Sequence, residues 1–352
     1  MNFAFTEEQT MIRDTVAGFA QDWRDGGGLA RAAEHGGDRT AFVSLAQELG
    51  LAGIMVPEAL GGAGLGAVER ALVMEELGKQ CFAGPFFSSA VLATDLLLAV
   101  KDEGLLPKLA AGELIASVSL DPVSFEETAD GFKLLGAIRA ITDADCVDVV
   151  LVPAWNGARS ALFVINADQL RTNTVLDVTR RLGEADLDLT VSAEALIAQD
   201  IADALPAALS QSAISLAAES VGVAQAALDM TVAYTKERVQ FDRVIASFQA
   251  VKHRCADLMI ATESARSAVY YAAAVAHTAE AAEAAAIAKS WCTEKAFKVT
   301  GDAIQMHGGI GFTWEYDLHF FFKRARANRT LLGTPSDHLE DLASLILDGA
   351  AA

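Results

Sequence analysis

The chain has 352 residues, with 27 basic against 47 acidic side chains and a formal net charge of −20. Such a surface repels nucleic acid and anionic membranes, which excludes general binding to either. At 52% hydrophobic and 21% charged residues the composition is globular and not that of a disordered chain.

No charge-free run reaches the ~18 apolar residues of a membrane-spanning helix; the apolar character comes from alanine-rich stretches, and Ala is the best helix former. Met1–Thr6 has neither a basic segment nor an apolar core, so no secretory or transit peptide is expected. Cys81, Cys146, Cys255 and Cys292 are far apart with no CxxC pair, and the six histidines form no HExxH. Reduced thiols in a cytoplasm and no metal site are the expectation.

Thr6-Glu7-Glu8-Gln9 reads as a capping box opening the first helix, with Met11, Ile12, Val16 and Phe19 at helical spacing behind it. Further helices are expected over Thr40–Leu49, stopped by Gly50, over Ala67–Gly78, and as one or two more within Ser88–Leu105. After Gly112 the pattern changes to short apolar or β-branched runs: Leu114–Leu120, Phe132–Leu135, Cys146–Val152 and Ala161–Ile165. Asp121-Pro122, Asp130-Gly131, Asn156-Gly157 and Asn166-Ala167-Asp168 supply the turns between them. Val175 to Ile197 continues this region less clearly. From Pro206 helices return, with Ile214, Ala217, Val221, Ala224, Leu228 and Val232 on one face. Phe248–Leu258, the alanine-rich Tyr270–Met306 and Pro335–Leu347 follow. The expected fold is α+β, mostly α: a helical domain over 1–112, a small β domain over 113–204 and a C-terminal four-helix bundle over 205–352.

Three motif runs stand on this layout. The first is Val56-Pro57-Glu58-Ala59-Leu60-Gly61-Gly62 followed by Glu75-Glu76-Leu77-Gly78. The second is Arg238-Val239-Gln240-Phe241 with Phe248-Gln249-Ala250-Val251-Lys252-His253 and Ala256-Asp257. The third is Gln305-Met306-His307-Gly308-Gly309-Ile310-Gly311-Phe312-Thr313-Trp314-Glu315. Taken in order over nearly the whole chain, they resemble the acyl-CoA dehydrogenase family. A glycine pair lets a backbone approach a bulky anion, and a guanidinium fork suits a pyrophosphate. The resemblance implies that Arg238, Phe241, Gln249, Gln305, Gly308 and Gly309 grip the ADP half of FAD at a subunit interface. Alone, each has a plainer reading: a solvated arginine, a helix C-cap, and His253 and His307 as structural histidines.

The sequence departs from the family where the chemistry sits. Members remove an α-proton with a Glu and pass the β-hydride to flavin. The Glu commonly precedes a Gly-Thr, but here the segment is Leu331-Leu332-Gly333-Thr334, and Leu332 accepts no proton. In other members it lies upstream of a glycine in the first long C-terminal helix; counting back from Gly222, that place is Ser212. The flavin-facing E-P-x-x-GSD motif is replaced by Asp121-Pro122-Val123-Ser124-Phe125-Glu126, and the W-x-T aromatic platform by Ala140-Ile141-Thr142. Positions that hold CoA carry Leu209-Ser210 and Ala213.

The resemblance therefore implies a subunit without a catalytic residue of its own. It would complete the FAD site of a catalytic acyl-CoA dehydrogenase partner in an α2β2 heterotetramer, with electron-transfer flavoprotein as acceptor and a steroid side-chain thioester as one candidate substrate. Two alternatives remain open: a self-sufficient enzyme using Glu219, Asp337 or Glu340, and a flavin-free structural paralogue.

Overall fold

The computed structural model describes residues 4–349, and the chain divides into two compact units. One comprises Met1–Gly27, Ala67–Phe82 and Ala213–Ala352; the other comprises Gly28–Gly66 and Ala83–Ser212. The boundary falls inside the longest helix, so neither unit is a simple stretch of sequence.

The second unit begins with α2 (Gly28–His35) and α3 (Arg39–Gln47), preceded in the other unit by α1 (Glu7–Asp25) and followed there by α4 (Ala67–Lys79). Instead of ordinary helix after Ser88, Phe86–Ala93 forms a fully buried π-helical segment that runs into α5 (Thr94–Ala99); α6 (Leu106–Ala110) follows. The Thr94 hydroxyl donates to the Ser89 carbonyl, five residues back, which is the spacing of a widened turn.

Eight strands then form one mixed sheet: β1 (Ala116–Val118), β2 (Val123–Thr128), β3 (Gly131–Thr142), β4 (Val149–Asn156), β5 (Arg159–Asn166), β6 (Arg171–Thr172), β7 (Leu182–Val191) and β8 (Leu196–Gln199). The order is β6-β7-β3-β2-β4-β5-β8, with β1 parallel to β4. Two tight hairpins, β2–β3 and β4–β5, set most of the register, and Gly157 takes a positive φ at the second of them. The buried face carries Phe125, Leu134, Ile138, Val150, Val152, Phe163 and Leu187. In β3 the pairing with β7 shifts between Ile138 and Ile141, and Ala140 bulges out at φ 52.

The first unit is built of helices. The capping box of α1 is present in full, Thr6 Oγ1 accepting the Gln9 N–H while Gln9 Oε1 accepts that of Thr6. α7 (Ala204–Glu237), α8 (Gln249–Ala274), α9 (Ala281–His307) and α11 (Pro335–Gly349) are the long C-terminal helices, with α10 (Leu318–Asn328) between the last two. A two-strand hairpin, β9 (Val239–Gln240) and β10 (Arg243–Val244), links α7 to α8. The alanine-rich stretch from Tyr270 is two antiparallel helices, broken at Val275–Glu280, where Thr278 bonds back to Val275 and caps Glu280.

Where α4 crosses α7 the backbones touch. A Cβ on Gly78 would overlap the Glu219 carbonyl, and one on Gly222 the Glu75 carbonyl. Around this crossing the charges are buried and paired. Glu75 accepts from Arg266 and, at 2.9 Å, from the Tyr270 hydroxyl, and Arg266 also reaches Gln225. These contacts account for the Glu-Glu-Leu-Gly run as packing.

Candidate functional site

The residues singled out in sequence as a nucleotide grip lie at one end of the helical unit. α7 ends at Glu237, and the chain reverses through β9–β10 with Phe241 and Asp242 at φ 55 and 61, a two-residue turn made without glycine. Phenylalanine in the left-handed region costs about 1–2 kcal/mol, yet the Phe241 ring is 84% exposed, touching Phe248 edge-on at 6.2 Å. The loop is closed by the Ile245 N–H donating to the Arg238 carbonyl at 2.8 Å, which brings Arg238, Phe241 and Gln249 into one segment.

α8 and α9 run antiparallel, so the start of one lies beside the end of the other: Arg254 donates to Asp302 at 2.7 Å. The end of α9 is tied to the end of α7 through Tyr234, whose ring stacks on His307 at 4.4 Å. His307 donates from Nδ1 to the Ala303 carbonyl at 2.8 Å, leaving Nε2 as acceptor for the Tyr316 hydroxyl at 3.3 Å. Burial pushes its pKa down, so the ring is neutral at pH 7, a structural histidine.

Gln305, Gly308 and Gly309 thus come to the same end as Arg238 and Gln249. All five are exposed, and among the described residues no side chain or backbone group bonds the heads of Arg238, Gln249 or Gln305. Gly308 stands at φ 65, and a Cβ on it or on Gly309 would meet nothing within 4 Å. The backbone is therefore open at the end of the helices that also carries one guanidinium and two amides. These are the groups a pyrophosphate and an adenine engage, so this donor set fits the ADP half of a dinucleotide. Sequence reasoning missed Tyr234, Tyr316 and the Arg254–Asp302 pair, because only the helix packing brings them together.

The two positions where resemblance places a base are both held by hydrogen bonds within the chain. Leu332 and Gly333 sit at φ 59 and 93 in a loop fastened from three sides. Lys289 Nζ donates to the Gly333 carbonyl at 2.9 Å, His338 Nε2 to the Leu332 carbonyl at 2.8 Å, and Asp337 accepts both the Thr334 N–H and its hydroxyl. Burial pulls the Lys289 pKa down to about 8. The bonds from Thr334 hold Asp337 below the ordinary carboxylate range, which makes it a weak base. In the other unit, buried Ser212 donates its hydroxyl to Asp95 at 2.8 Å.

Of the alternative carboxylates, Glu219 is buried in an ion pair with Arg324 at 2.6 Å and accepts from Asn328 at 2.8 Å. Glu340 is exposed on α11. At the sheet, Ala140 is exposed on its bulge, the Asp121 carboxylate accepts the Arg139 N–H, and Thr142 is buried against Ser117. No aromatic side chain stands at Ala140-Ile141-Thr142.

Among the described residues no group of His, Cys, Asp or Glu side chains is arranged to hold a metal, and no helix is long and apolar enough to cross a membrane.

Comparison with known proteins finds relatives over nearly the whole chain. Residues 6–113 match the acyl-CoA dehydrogenase N-terminal domain and residues 203–347 the acyl-CoA dehydrogenase C-terminal domain. Acyl-CoA dehydrogenase IpdE2 of Mycobacterium tuberculosis is 34% identical, over 96% of this chain and 97% of that protein. Among solved structures, a variant of the Tcur3481–Tcur3483 steroid ACAD superposes with a TM-score of 0.87 at 30% identity, covering 98% of this chain and 99% of its own. The ChsE4–ChsE5 complex from Mycobacterium tuberculosis does so with a TM-score of 0.90 at 26% identity, covering 99% of each.

Proposed function

The chain belongs to the acyl-CoA dehydrogenase family, and from that premise we propose that it is the non-catalytic subunit of a heteromeric enzyme that desaturates an acyl-CoA thioester at Cα–Cβ. It completes the FAD site of a catalytic partner in an α2β2 assembly. The observation that carries this reading is a contrast within one chain. Arg238, Gln249, Gln305 and the open Gly308–Gly309 backbone stand ready for a dinucleotide, while Leu332 and Ser212 occupy the base positions.

Arg238 is suited to hold pyrophosphate charge, the two amides to hold phosphate or adenine edges, and Phe241 to cover the adenine face. FAD, once bound, supplies the hydride acceptor. The ring and the proton-accepting carboxylate belong to the partner, because Ala140 offers no platform and neither Leu332 nor a hydroxyl already donating to Asp95 takes up a proton. Glu219 is no substitute, since its charge is neutralised by Arg324. The likeness to a steroid ACAD supports a steroid-derived thioester as substrate; electron-transfer flavoprotein is the acceptor that the family resemblance implies.

The test is flavin content and turnover of the purified chain alone, and of the chain co-expressed with each acyl-CoA dehydrogenase subunit of the same genome. The chain alone is expected to turn over at least ~10²-fold below the complex, the usual loss with a missing general base. Arg238→Ala is expected to lower flavin affinity of the complex by roughly tenfold to a hundredfold, the scale of one hydrogen bond to an ion. Full activity of the isolated chain would sink the proposal.

A further inference from the structure

The nucleotide grip is assembled from two helix ends, and an aromatic stack joins them. Arg238 follows α7 directly, and its backbone N–H donates to the Tyr234 carbonyl at 2.9 Å. The guanidinium is therefore carried on the turn whose other end bears the Tyr234 ring. On the opposite side, His307 closes α9 and is followed at once by Gly308, whose N–H bonds back to the carbonyls of Ile304 and Gln305. The Tyr234 and His307 rings stack with centroids 4.4 Å apart and planes 23° apart. The Tyr316 ring, from the segment after the glycine pair, completes the group at 5.0 Å from His307 and 6.4 Å from Tyr234.

His307 is 3% exposed, and its two ring nitrogens are bonded to Ala303 and Tyr316. Gly311 then folds back over it, so close that a Cβ there would lie 3.0 Å from the His307 Cβ. The turn that presents Gly308 and Gly309 is thus wrapped on the His307 side chain, against which Tyr234 is stacked. A guanidinium and a backbone that share one anionic ligand must be held within about 0.5 Å of the productive spacing. Here they belong to separate helices.

We infer that Tyr234, His307 and Tyr316 are positioning residues of the nucleotide site: the stack fixes the spacing between Arg238 and the Gly308–Gly309 backbone and acts through them. Exposure separates the two roles. Arg238, Gln305 and the glycine pair, which are suited to touch the ligand, are exposed, whereas His307 is buried and the two tyrosines are half-buried. What Tyr234 contributes is its ring, since among the described residues no hydrogen bond involves its hydroxyl. The assignment rests on the reading above that this end of the helices holds the ADP half of FAD.

The test is a double-mutant cycle on flavin affinity, measured in the complex with a co-expressed acyl-CoA dehydrogenase subunit. It compares wild type, Tyr234→Ala, Arg238→Ala and the double variant. Tyr234→Ala is expected to raise the FAD Kd about tenfold. In the Arg238→Ala background the same change is expected to raise it about threefold or less, because a guanidinium that is absent cannot be misplaced. Tyr234→Phe, which keeps the ring, is expected to stay within about twofold of wild type. Tyr316→Phe removes one hydroxyl and carries the test should Tyr234→Ala not assemble. Its expected rise is about threefold, again shrinking when Arg238 is absent. Full additivity in the cycle would make the stack a general support of the fold and overturn the inference, as would a Tyr234→Phe complex as weak as Tyr234→Ala. Unchanged affinity in Tyr234→Ala, with Arg238→Ala weakened, would overturn it and leave the subunit reading intact. Unchanged affinity in Arg238→Ala would remove the nucleotide reading and this inference together.

Discussion

The helical unit contains two polar regions that differ in almost every physical respect. At the α4–α7 crossing, Glu75, Glu219, Arg324 and Asn328 are buried, and each is bonded to another member of the unit. At the far end of α7–α9, Arg238, Gln249 and Gln305 are exposed and bond nothing else in the described chain. A buried charge must be paired because its desolvation is otherwise uncompensated; an exposed one keeps its water until a ligand replaces it. The first region accordingly serves the fold and the second is free to serve a ligand. Both contain residues that the resemblance marks, so a marked residue alone does not separate packing from binding.

Breaking the buried pair gives the largest effect. Arg324→Met leaves the buried Glu219 charge without its cationic partner, and the expected cost is about 3–5 kcal/mol in unfolding free energy, read from denaturant midpoints. A double variant in which Glu219 is also replaced by Leu should recover much of that loss; no recovery would mean the pair is not what is being measured.

Gly222→Ala comes next. Its methyl overlaps the Glu75 carbonyl, so the two helices must separate, at about 1–3 kcal/mol by the usual scale of overpacking. A stability equal to wild type would show that the crossing is looser than described.

Lys289 gives a pH signature at the fastened loop. Its folded pKa of about 8 lies below the ordinary lysine value of 10.5. Between those values the unfolded state binds the proton more than the native state does, so this group makes stability rise with pH there. The slope reaches at most ~1.4 kcal/mol per pH unit. Below about pH 8 the group is protonated in both states and contributes no slope. Unfolding titrations of wild type against Lys289→Met should diverge with that sign between pH 8 and 10; parallel curves would exclude a buried, perturbed lysine.

Arg238→Ala anchors the small end. With an exposed head and no partner in the chain, it should change unfolding free energy by no more than ~0.5 kcal/mol. A larger loss would move Arg238 into the structural class and weaken its assignment to a ligand.

Some elements were legible because their cause is local. The capping box at Thr6–Gln9 formed as read, since both partners are three residues apart. Asn156-Gly157 marked the β4–β5 turn because Gly157 needs a positive φ. Other elements had no local signal. β2 carries only Val123 and Phe125 on its buried face and is stabilised by pairing with β3 and β4, so its sequence reads as loop. The break at Val275–Glu280 contains neither Gly nor Pro, and packing of α8 on α9 decides it. The π-helical Phe86–Ala93 is as apolar as any buried helix; the widened turn shows only in its hydrogen bonds.

The same division holds for the site. Sequence by itself determined which groups are available: a guanidinium, two amides and two glycines in family order, and an alkyl and a hydroxyl where carboxylates are expected. Those are matters of covalent chemistry, and no fold changes them. Only the tertiary structure decided which polar heads are already committed. It tied Glu219 to Arg324, Ser212 to Asp95 and His307 to Tyr316, while leaving Arg238, Gln249 and Gln305 facing solvent. Among the described residues it also left the His319 Nε2 buried with no hydrogen-bond partner. The reason is physical: a hydrogen bond between residues a hundred positions apart depends on how helices pack, and that packing is set by the whole buried surface, to which no short motif has access.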